Sequence, residues 1–439
     1  MVSLLEPLDQ DSTPRLFVHG ASTPRASERA LVLARTQDIV CVADEVEPSY
    51  LAYLAELELG PAPERVVAMS RFGDDAPDRA LWARVAGNTE ALRAVGALLH
   101  GGGPSRLHPF MVSRGSHALA AALEIAADTE VRVLGGDPAL VEYAAQKHHV
   151  RARALALGIP VADGEVVVLS IAGGRRRRDY DALRAAVQRQ LTSTGRVLVR
   201  GTHGAARSAS YVVGAGGTDV DGLLRALTEH TENRCFLVEV MVPATVSPNV
   251  QLLVAPDGGP ITCAGITDQR WERLLAHGGN LYPSAARLGE TMIDWARRLA
   301  GSLQRDGYVG MLGLDFVEYA DPISGAPRAF LAGLSPGVTN DTYPLALFAR
   351  LNAAQRRAGR PESSAFVSGT IETRPRLFAE FRRAAGHLFY APATGCGLVP
   401  YHVGSLGRGK CSVVLAGPTR DAVLRAYGEL QSWCRREGR

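Results

Sequence analysis

The chain has 439 residues, 46% of them hydrophobic and 21% charged, with 48 Lys plus Arg against 45 Asp plus Glu, a formal charge of +3. That length predicts roughly two to four domains, and the composition excludes disordered and fibrous classes. A surplus so small in a chain so long gives no electrostatic footprint for nucleic acid.

The opening MVSLLEPLDQDSTPRLFVHG lacks a basic segment followed by a long apolar one, so neither a signal peptide nor an anchor is expected. No apolar run reaches the roughly 18 residues of a membrane helix, and the cytoplasm is the expected location. From Arg15 to about Met69, RLFVHG and DIVCVAD read as short buried strands, while ASERALVLAR and PSYLAYLAELEL carry apolar residues at helical spacing. VVAMS adds a strand, a helix is expected around Asp78 to Leu99, and HPFMVS, a helix over Ser116 to Ala127 and VRVLG continue the alternation. Such alternation predicts a mainly parallel sheet with helices on both faces.

A domain boundary is expected near residues 130 to 140. Asp137-Pro138 then starts a helix pair that Gly158 and Pro160 stop, with Lys147 on or between the two helices. A helix from Asp179 leads into the strand GRVLVRG, the polar loop THGAARSAS and the strand YVVG, a hairpin with a loop suited to closing over a ligand. FLVEVMV, VQLLVAPDG, ITCAGITDQ, a helix from about Ala286 to Gln304, GLDFVEYADP and RAFLAGLSPG form a different, antiparallel pattern with one long helix. The remainder starts helically after about Leu351 and ends in KCSVVLAG and a helix from Thr419 to Trp433.

Six cysteines without CxxC spacing argue against a zinc site or a disulfide framework and read as free thiols, mostly buried. Arg175 to Arg178, the only dense basic cluster, reads as a solvated loop before a helix beginning near Asp179, with phosphate binding as the alternative. His148 and His149, adjacent on a helix, diverge by about 100° and make a poor metal pair; His203 lies apart from them. Lysine is nearly absent: Lys147 and Lys410 are the two, and every other cationic side chain is arginine. A lysine retained against that bias marks a position where a compact ammonium is needed, such as a tight phosphate site, or else a surface survivor.

The ordered series, an αβ entry domain, a helix bearing Lys147, a strand ending at Arg200 before a polar loop, FLVEVMV, then GYVGMLGLDFVEY and FLAGLSPGVTNDTYPLAL, resembles the ATP-grasp superfamily, more narrowly its peptide-ligase branch. The resemblance covers nearly the whole chain. It implies an α/β and α+β protein: a Rossmann-like pre-ATP-grasp domain over residues 1–135, a two-lobed ATP-grasp fold over 136–235 and 236–350, and a small C-terminal domain over 351–439. It implies ATP and Mg2+ as cofactors and an ATP-dependent joining of an amino acid or peptide carboxylate to an amine through an acyl phosphate. Small-molecule acids and amines are the expected partners, without nucleic acid or membrane, and a homodimer is left open as the assembly.

The same resemblance sets Lys147 against the nucleotide phosphates and puts Arg200 where the family has a second lysine. It aligns Gly201, Thr202, Gly204, Ser208 and Ser210 with the loop that covers the phosphates, although a plain hairpin fits those residues equally well. Glu239 falls in the hinge beside the nucleoside, or is a strand glutamate facing solvent. Asp315 matches the first metal ligand. The E-x-N sequence expected next is missing: Gly333 stands at the glutamate and Ser335 at the asparagine. Losing a carboxylate weakens magnesium binding. Asn340 and Asp341 are candidate replacements or a turn before a helix, and Glu318, three residues from Asp315, faces the other way. Ser247, Asn249 and Gln251 share one strand face and with Thr267, Asp268 and Gln269 resemble the lining around the acceptor carboxylate, which Arg270 is expected to pair with. The altered metal corner leaves a second reading, a non-catalytic homologue that binds a nucleotide, substrate or partner protein.

Overall fold

The computed structural model describes residues 13–20, 26–74, 79–101, 103–169, 171–172, 177–178, 180–202, 210–230, 233–273 and 276–437. The first layer holds β1 (Arg15–Val18), β2 (Ile39–Val42), β3 (Val66–Ala68), β4 (Ser105–Pro109) and β5 (Val131–Val133) in the order β3-β2-β1-β4-β5, all parallel. Runs such as Ile39-Val40-Cys41-Val42, fully buried, suit strands covered on both faces. The covering helices include α1 (Pro48–Glu56), α2 (Leu81–Ala86), α3 (Thr89–Leu99) and α4 (Arg114–Ala127).

Two expectations change here. The helix expected around Asp78 to Leu99 is two, because Asn88 interrupts it and its side chain accepts from the Ala91 amide at 3.0 Å, an N-cap that restarts the helix. The segment Ala26–Val32 winds as a 3-10 helix rather than an α-helix.

The next layer begins with α5 (Pro138–Ala145), capped by Asp137 with Pro138 in the first turn, and α6 (Lys147–Ala156). β6 (Gly164–Val168) is followed by the two-residue strands β7 (Ile171–Ala172) and β8 (Arg177–Arg178), which pair with each other. After α7 (Asp181–Thr194) come β9 (Arg196–Gly201), β10 (Ser210–Gly214), α8 (Val220–His230) and β11 (Cys235–Val240). They build an antiparallel sheet of order β10-β9-β11-β6, with Leu183, Ala186, Leu223 and Leu227 of the two helices buried against it.

The remaining strands make one sheet: β12 (Ala244–Val246), β13 (Pro248–Val254), β14 (Ile261–Arg273), β15 (Ala276–Tyr282), β16 (Gly310–Ala320), β17 (Pro327–Ser335), β18 (Ala365–Glu372), β19 (Gly397–His402) and β20 (Lys410–Gly417). Between its strands run α9 (Gly289–Arg305), α10 (Thr342–Arg357) and α11 (Phe378–Ala385), and α12 (Arg420–Glu437) follows. α9 buries Met292, Ala296, Leu299 and Leu303, one face at helical spacing, against β13 and β16. The last three strands continue the sheet of the second lobe through β15–β18 pairing.

The chain's two ends share one core. Tyr50 and Tyr53 of α1 pack edge-on and tilted against Phe378, and their hydroxyls donate to the carbonyls of Pro400 and Leu398 at 3.0 and 3.3 Å. Glu47 accepts from the Phe378 amide at 2.6 Å and Glu28 from the Gly404 amide at 2.6 Å. Each buried aromatic contributes about 2–3 kcal/mol. The first sheet is therefore fastened to residues more than 300 positions away. No described helix is long and apolar enough to cross a membrane.

Candidate functional site

Between the two lobes the structure brings Lys147, Arg200 and Glu239 together, with Asp315 close enough to act on the lysine electrostatically. Lys147 opens α6, and its amide donates to the Thr202 carbonyl at 3.3 Å, tying the helix start to the end of β9. Burial first, and then the charge of Arg200, lower its ammonium to about 8 against the opposing effect of Asp315 and Glu239. Arg200 alternates out of the buried face of β9 and donates through Nε and Nη2 to Glu239 Oε2 at 2.9 and 2.5 Å. Its Nη1 donates to the Ala332 carbonyl at 2.7 Å, linking the first lobe to the second.

That carbonyl is available because β17 bulges. Asp315 faces Gly333 while Phe316 faces Leu331, so Ala332 is an extra residue that turns its carbonyl out of the ladder. Glu239, 4% exposed, is no solvent-facing strand residue: on its other oxygen it accepts from Arg151 Nη1 at 3.2 Å. Arg151, one turn after Lys147 on α6, also donates to Ala162 and Gly164 carbonyls at 2.6 and 3.0 Å. Sequence reasoning missed it. The signal was its spacing from Lys147, which puts both on one helix face. The lining of this cleft includes Lys147, Arg151, Arg200, Glu239, Ala332 and Gly333, and its free volume is about 10 Å3.

On the second lobe the polar lining forms a chain of hydrogen bonds. Asp315 Oδ1 accepts from Asn249 Nδ2 at 2.7 Å and Gln269 Nε2 at 2.8 Å. Gln251 Nε2 donates to Asn249 Oδ1 at 2.7 Å and to the Thr339 hydroxyl at 3.0 Å, and Thr339 donates to Asp341 Oδ2 at 3.3 Å. Asn280 donates to the other oxygen of Asp341 and, at 3.3 Å, to Thr267. Burial, and then the charge of Asp341, push the Asp315 carboxyl up to about 6 against the opposing effect of its amide donors.

Other expected residues lie elsewhere. Asn340 accepts from Arg29 Nη1 at 2.6 Å, away from Asp315. Arg270 lies over the Tyr427 ring, 4.6 Å from its centroid, and donates to the Ser368 carbonyl at 3.3 Å. Asp268 has a fastening role, accepting from Ser284 and the Ala285 amide at 2.5 and 2.8 Å and pairing with Arg420 at 2.8 Å. The Ser247 carbonyl accepts from the Gln269 amide at 2.8 Å. Glu318 accepts from the Arg287 and Leu288 amides at 3.1 and 2.8 Å at the head of α9. Gly201 pairs with Phe236 in the sheet, Thr202 is buried beside it and Ser210 faces Arg200 across the hairpin. Gly204, Ser208 and His203 lie outside the described residues. His149 stacks on Tyr143 with ring centroids 4.1 Å apart.

The residues do not make a magnesium cage. Asp315 and Asp341 are already bonded to amide and hydroxyl donors, Asn340 is turned to Arg29, and no cluster of three or more His, Cys, Asp or Glu suited to a metal occurs among the described residues. A Cβ added at Gly333 would stand 3.7 Å from Asp315 Oδ2. A glutamate at 333 would therefore adjoin Asp315 without a backbone clash.

Residues 27–125 match the family described as the Pre ATP-grasp domain. No curated protein sequence matches the chain. Among solved structures it is similar to an ADP complex of N5-carboxyaminoimidazole ribonucleotide synthetase (15% identity, TM-score 0.58, 99% of each chain). It is similar also to carboxyaminoimidazole ribonucleotide synthase from Aspergillus clavatus with ATP (12%, 0.53, 97% of this chain and 99% of that one). A third is a biotin carboxylase complex from Campylobacter jejuni (12%, 0.56, 94% and 89%). The chain has the ATP-grasp fold with a pre-ATP-grasp domain in front.

Proposed function

We propose that this chain, an ATP-grasp fold behind a pre-ATP-grasp domain, is an ATP-dependent carboxylate–amine ligase acting on a small amino acid or peptide acid. The observation that carries the reading is the convergence of Lys147, Arg200 and Glu239 between the lobes, with Asp315 acting on Lys147 electrostatically. The solved relatives described with ADP or ATP add support at the level of fold.

In the reaction a carboxylate oxygen of the acid attacks the γ-phosphorus, the bond to the β-phosphate bridging oxygen breaks, and ADP leaves. The amine nitrogen then attacks the acyl carbon, the C–O bond to phosphate breaks, and the amine proton passes to phosphate or solvent. The protein's share is to hold these groups in line and to offset the phosphate charge. Lys147, with its ammonium lowered to about 8, stays mainly charged at neutral pH and suits a non-bridging oxygen. Arg200 offers a fork to two phosphate oxygens once it parts from Glu239. Magnesium, implied by the resemblance, lacks a protein cage here, so no step is routed through it.

Two observations favour the second reading, a homologue that binds a nucleotide or substrate without turnover. The carboxylate at 333 is absent, and the cleft, whose free space of about 10 Å3 is room for about one water, is filled by the Arg200–Glu239–Arg151 triad. A nucleotide enters only if the first lobe swings and that triad opens. Release of ADP and phosphate by the full chain over paired acids and amines, with product mass detected, tests the ligase. Saturable nucleotide binding without ADP release would move the reading to the binding protein.

A further inference from the structure

A cavity of about 1070 Å3 opens where the first sheet, the second lobe and the C-terminal strands meet. That volume is at the upper end for small-ligand sites. Its cationic lining is Arg29, Arg374, Arg376, Arg408, Lys410 and Arg435, opposed by Glu272 and Glu372 alone among its acidic residues. Glu372 faces Lys410 in the β18–β20 register, which accounts for one acid against one cation. Arg29, Arg374, Arg376 and Arg435 have no salt bridge among the described residues. The second of the chain's two lysines is thus in this wall, as the first is in the cleft.

Its shape is built. Arg29 stacks on Tyr343 with its guanidinium carbon 4.9 Å from the ring centroid and is held by Asn340 at 2.6 Å; Tyr343 in turn meets buried His19 Nδ1 at 2.9 Å. Gly409 has φ +74°, and a Cβ there would meet Arg376 Nη1 at 2.2 Å, so glycine lets that guanidinium lie against the turn. Three buried polar atoms of the lining have no hydrogen-bond partner among the described residues: Asn280 Oδ1, in a side chain 1% exposed, and His277 Nε2 on the Asp341 side, and Thr373 Oγ1, in a side chain 8% exposed, beside the Gly409 turn of the cationic wall. Asn280 is the residue whose amide donates to Asp341, the end of the chain that runs to Asp315. A buried carbonyl oxygen left without a donor costs about 1–3 kcal/mol, which a ligand N–H would recover.

We propose that this cavity binds a small oxyanion-bearing molecule, with its phosphate or carboxylate groups on the arginine–lysine wall and an N–H group at Asn280. The proposal rests on the ligase reading for the molecule's role as substrate, but not for its binding. The reacting end would stand against Asp341, and the anionic end away from it, at the rim. A single rim cation would give little; four guanidinium groups without a salt bridge among the described residues, around one concavity, raise the local concentration of anions.

Calorimetry on the full chain tests this with ribose 5-phosphate, a tricarboxylate (citrate) and inorganic phosphate as probes, in the wild type, the double variant Arg376→Ala/Lys410→Gln and the control Arg132→Ala. Arg132 is an exposed partner of Glu130 in the first domain. A phosphate ester or citrate should bind with Kd near or below about 1 mM, at least ten-fold more weakly in the double variant and unchanged in the control. Whichever probe binds tighter names the anion. No saturable binding of any probe, or an equal loss in the control, overturns the proposal. If the double variant unfolds, Arg435→Ala at an exposed position of the wall keeps the test intact: it should weaken citrate and ribose 5-phosphate without moving the unfolding midpoint, and unchanged affinity for both would overturn the proposal. Binding without ADP release from any acid would reject the ligase and keep the site. ADP release with an unchanged KM for the acid in the double variant would reject the site and keep the ligase.

Discussion

Asp315→Asn should stabilise the protein, and only at high pH. Burial and the neighbouring Asp341 raise the Asp315 carboxyl from 3.8 to about 6, so folding favours its protonated form. The stability this gives is complete below about pH 4 and is lost as pH rises through 6. Two pKa units at 1.36 kcal/mol each set a ceiling of about 3 kcal/mol on the cost of the charged form at pH 8. Asp315 is half-buried, and the attraction it exerts on Lys147 is lost with the charge, so about 1–2 kcal/mol is the expected gain. Asparagine keeps an oxygen to accept from Asn249 and Gln269. Urea unfolding midpoints of both proteins at pH 3.5 and pH 8 measure the effect. An advantage for the variant at pH 8 that nearly vanishes at pH 3.5 is expected; equal midpoints at pH 8, or a less stable variant there, would mean that the amide donors fully compensate the charge.

Glu239→Ala strands Arg200 and Arg151, both mostly buried, and should cost about 3–5 kcal/mol, read from the unfolding midpoint; Glu239→Gln should cost less because it still accepts. Gly333→Glu puts a carboxylate beside Asp315 and should lower Tm without magnesium, through like-charge repulsion, and raise it with millimolar magnesium; a Tm indifferent to magnesium would show that the donors around Asp315 exclude the ion. Gly279→Ala should lose folded yield in expression and proteolysis assays, since φ is +131° and a Cβ would lie 2.0 Å from the Ser368 carbonyl. Tyr50→Phe removes a buried hydrogen bond to Pro400 and should cost about 1 kcal/mol by urea unfolding.

Much of the fold was legible because it is written in local periodicity. The parallel first sheet follows from apolar runs separated by helices, and the hairpin around Arg200 from its alternation. Lys147 stood out against an arginine background, and Asp315 by its strand. What was hidden depends on partners far along the chain. Nothing near Glu239 announces Arg151, 88 residues away, or the Ala332 carbonyl that the bulge turns toward Arg200. Asn340 looked free to join Asp315, but Arg29, 311 residues away, holds it. Arg270 offered itself to a substrate acid, and the α12 ring of Tyr427 takes its guanidinium instead. The tail after Leu351 read as a domain of its own, whereas hydrogen bonds between β15 and β18 run its strands into the second lobe's sheet. Asn88 was readable as a cap within the expected helix, and its restart signal was overlooked.

The most direct test of the central reading is ADP release by the wild type and by Lys147→Ala, with and without magnesium, across amino acids and small peptides in pairs. ADP together with a condensed product is expected for at least one pair, abolished in the variant. Nucleotide binding with no ADP from any pair, or full ADP release by Lys147→Ala, would contradict it.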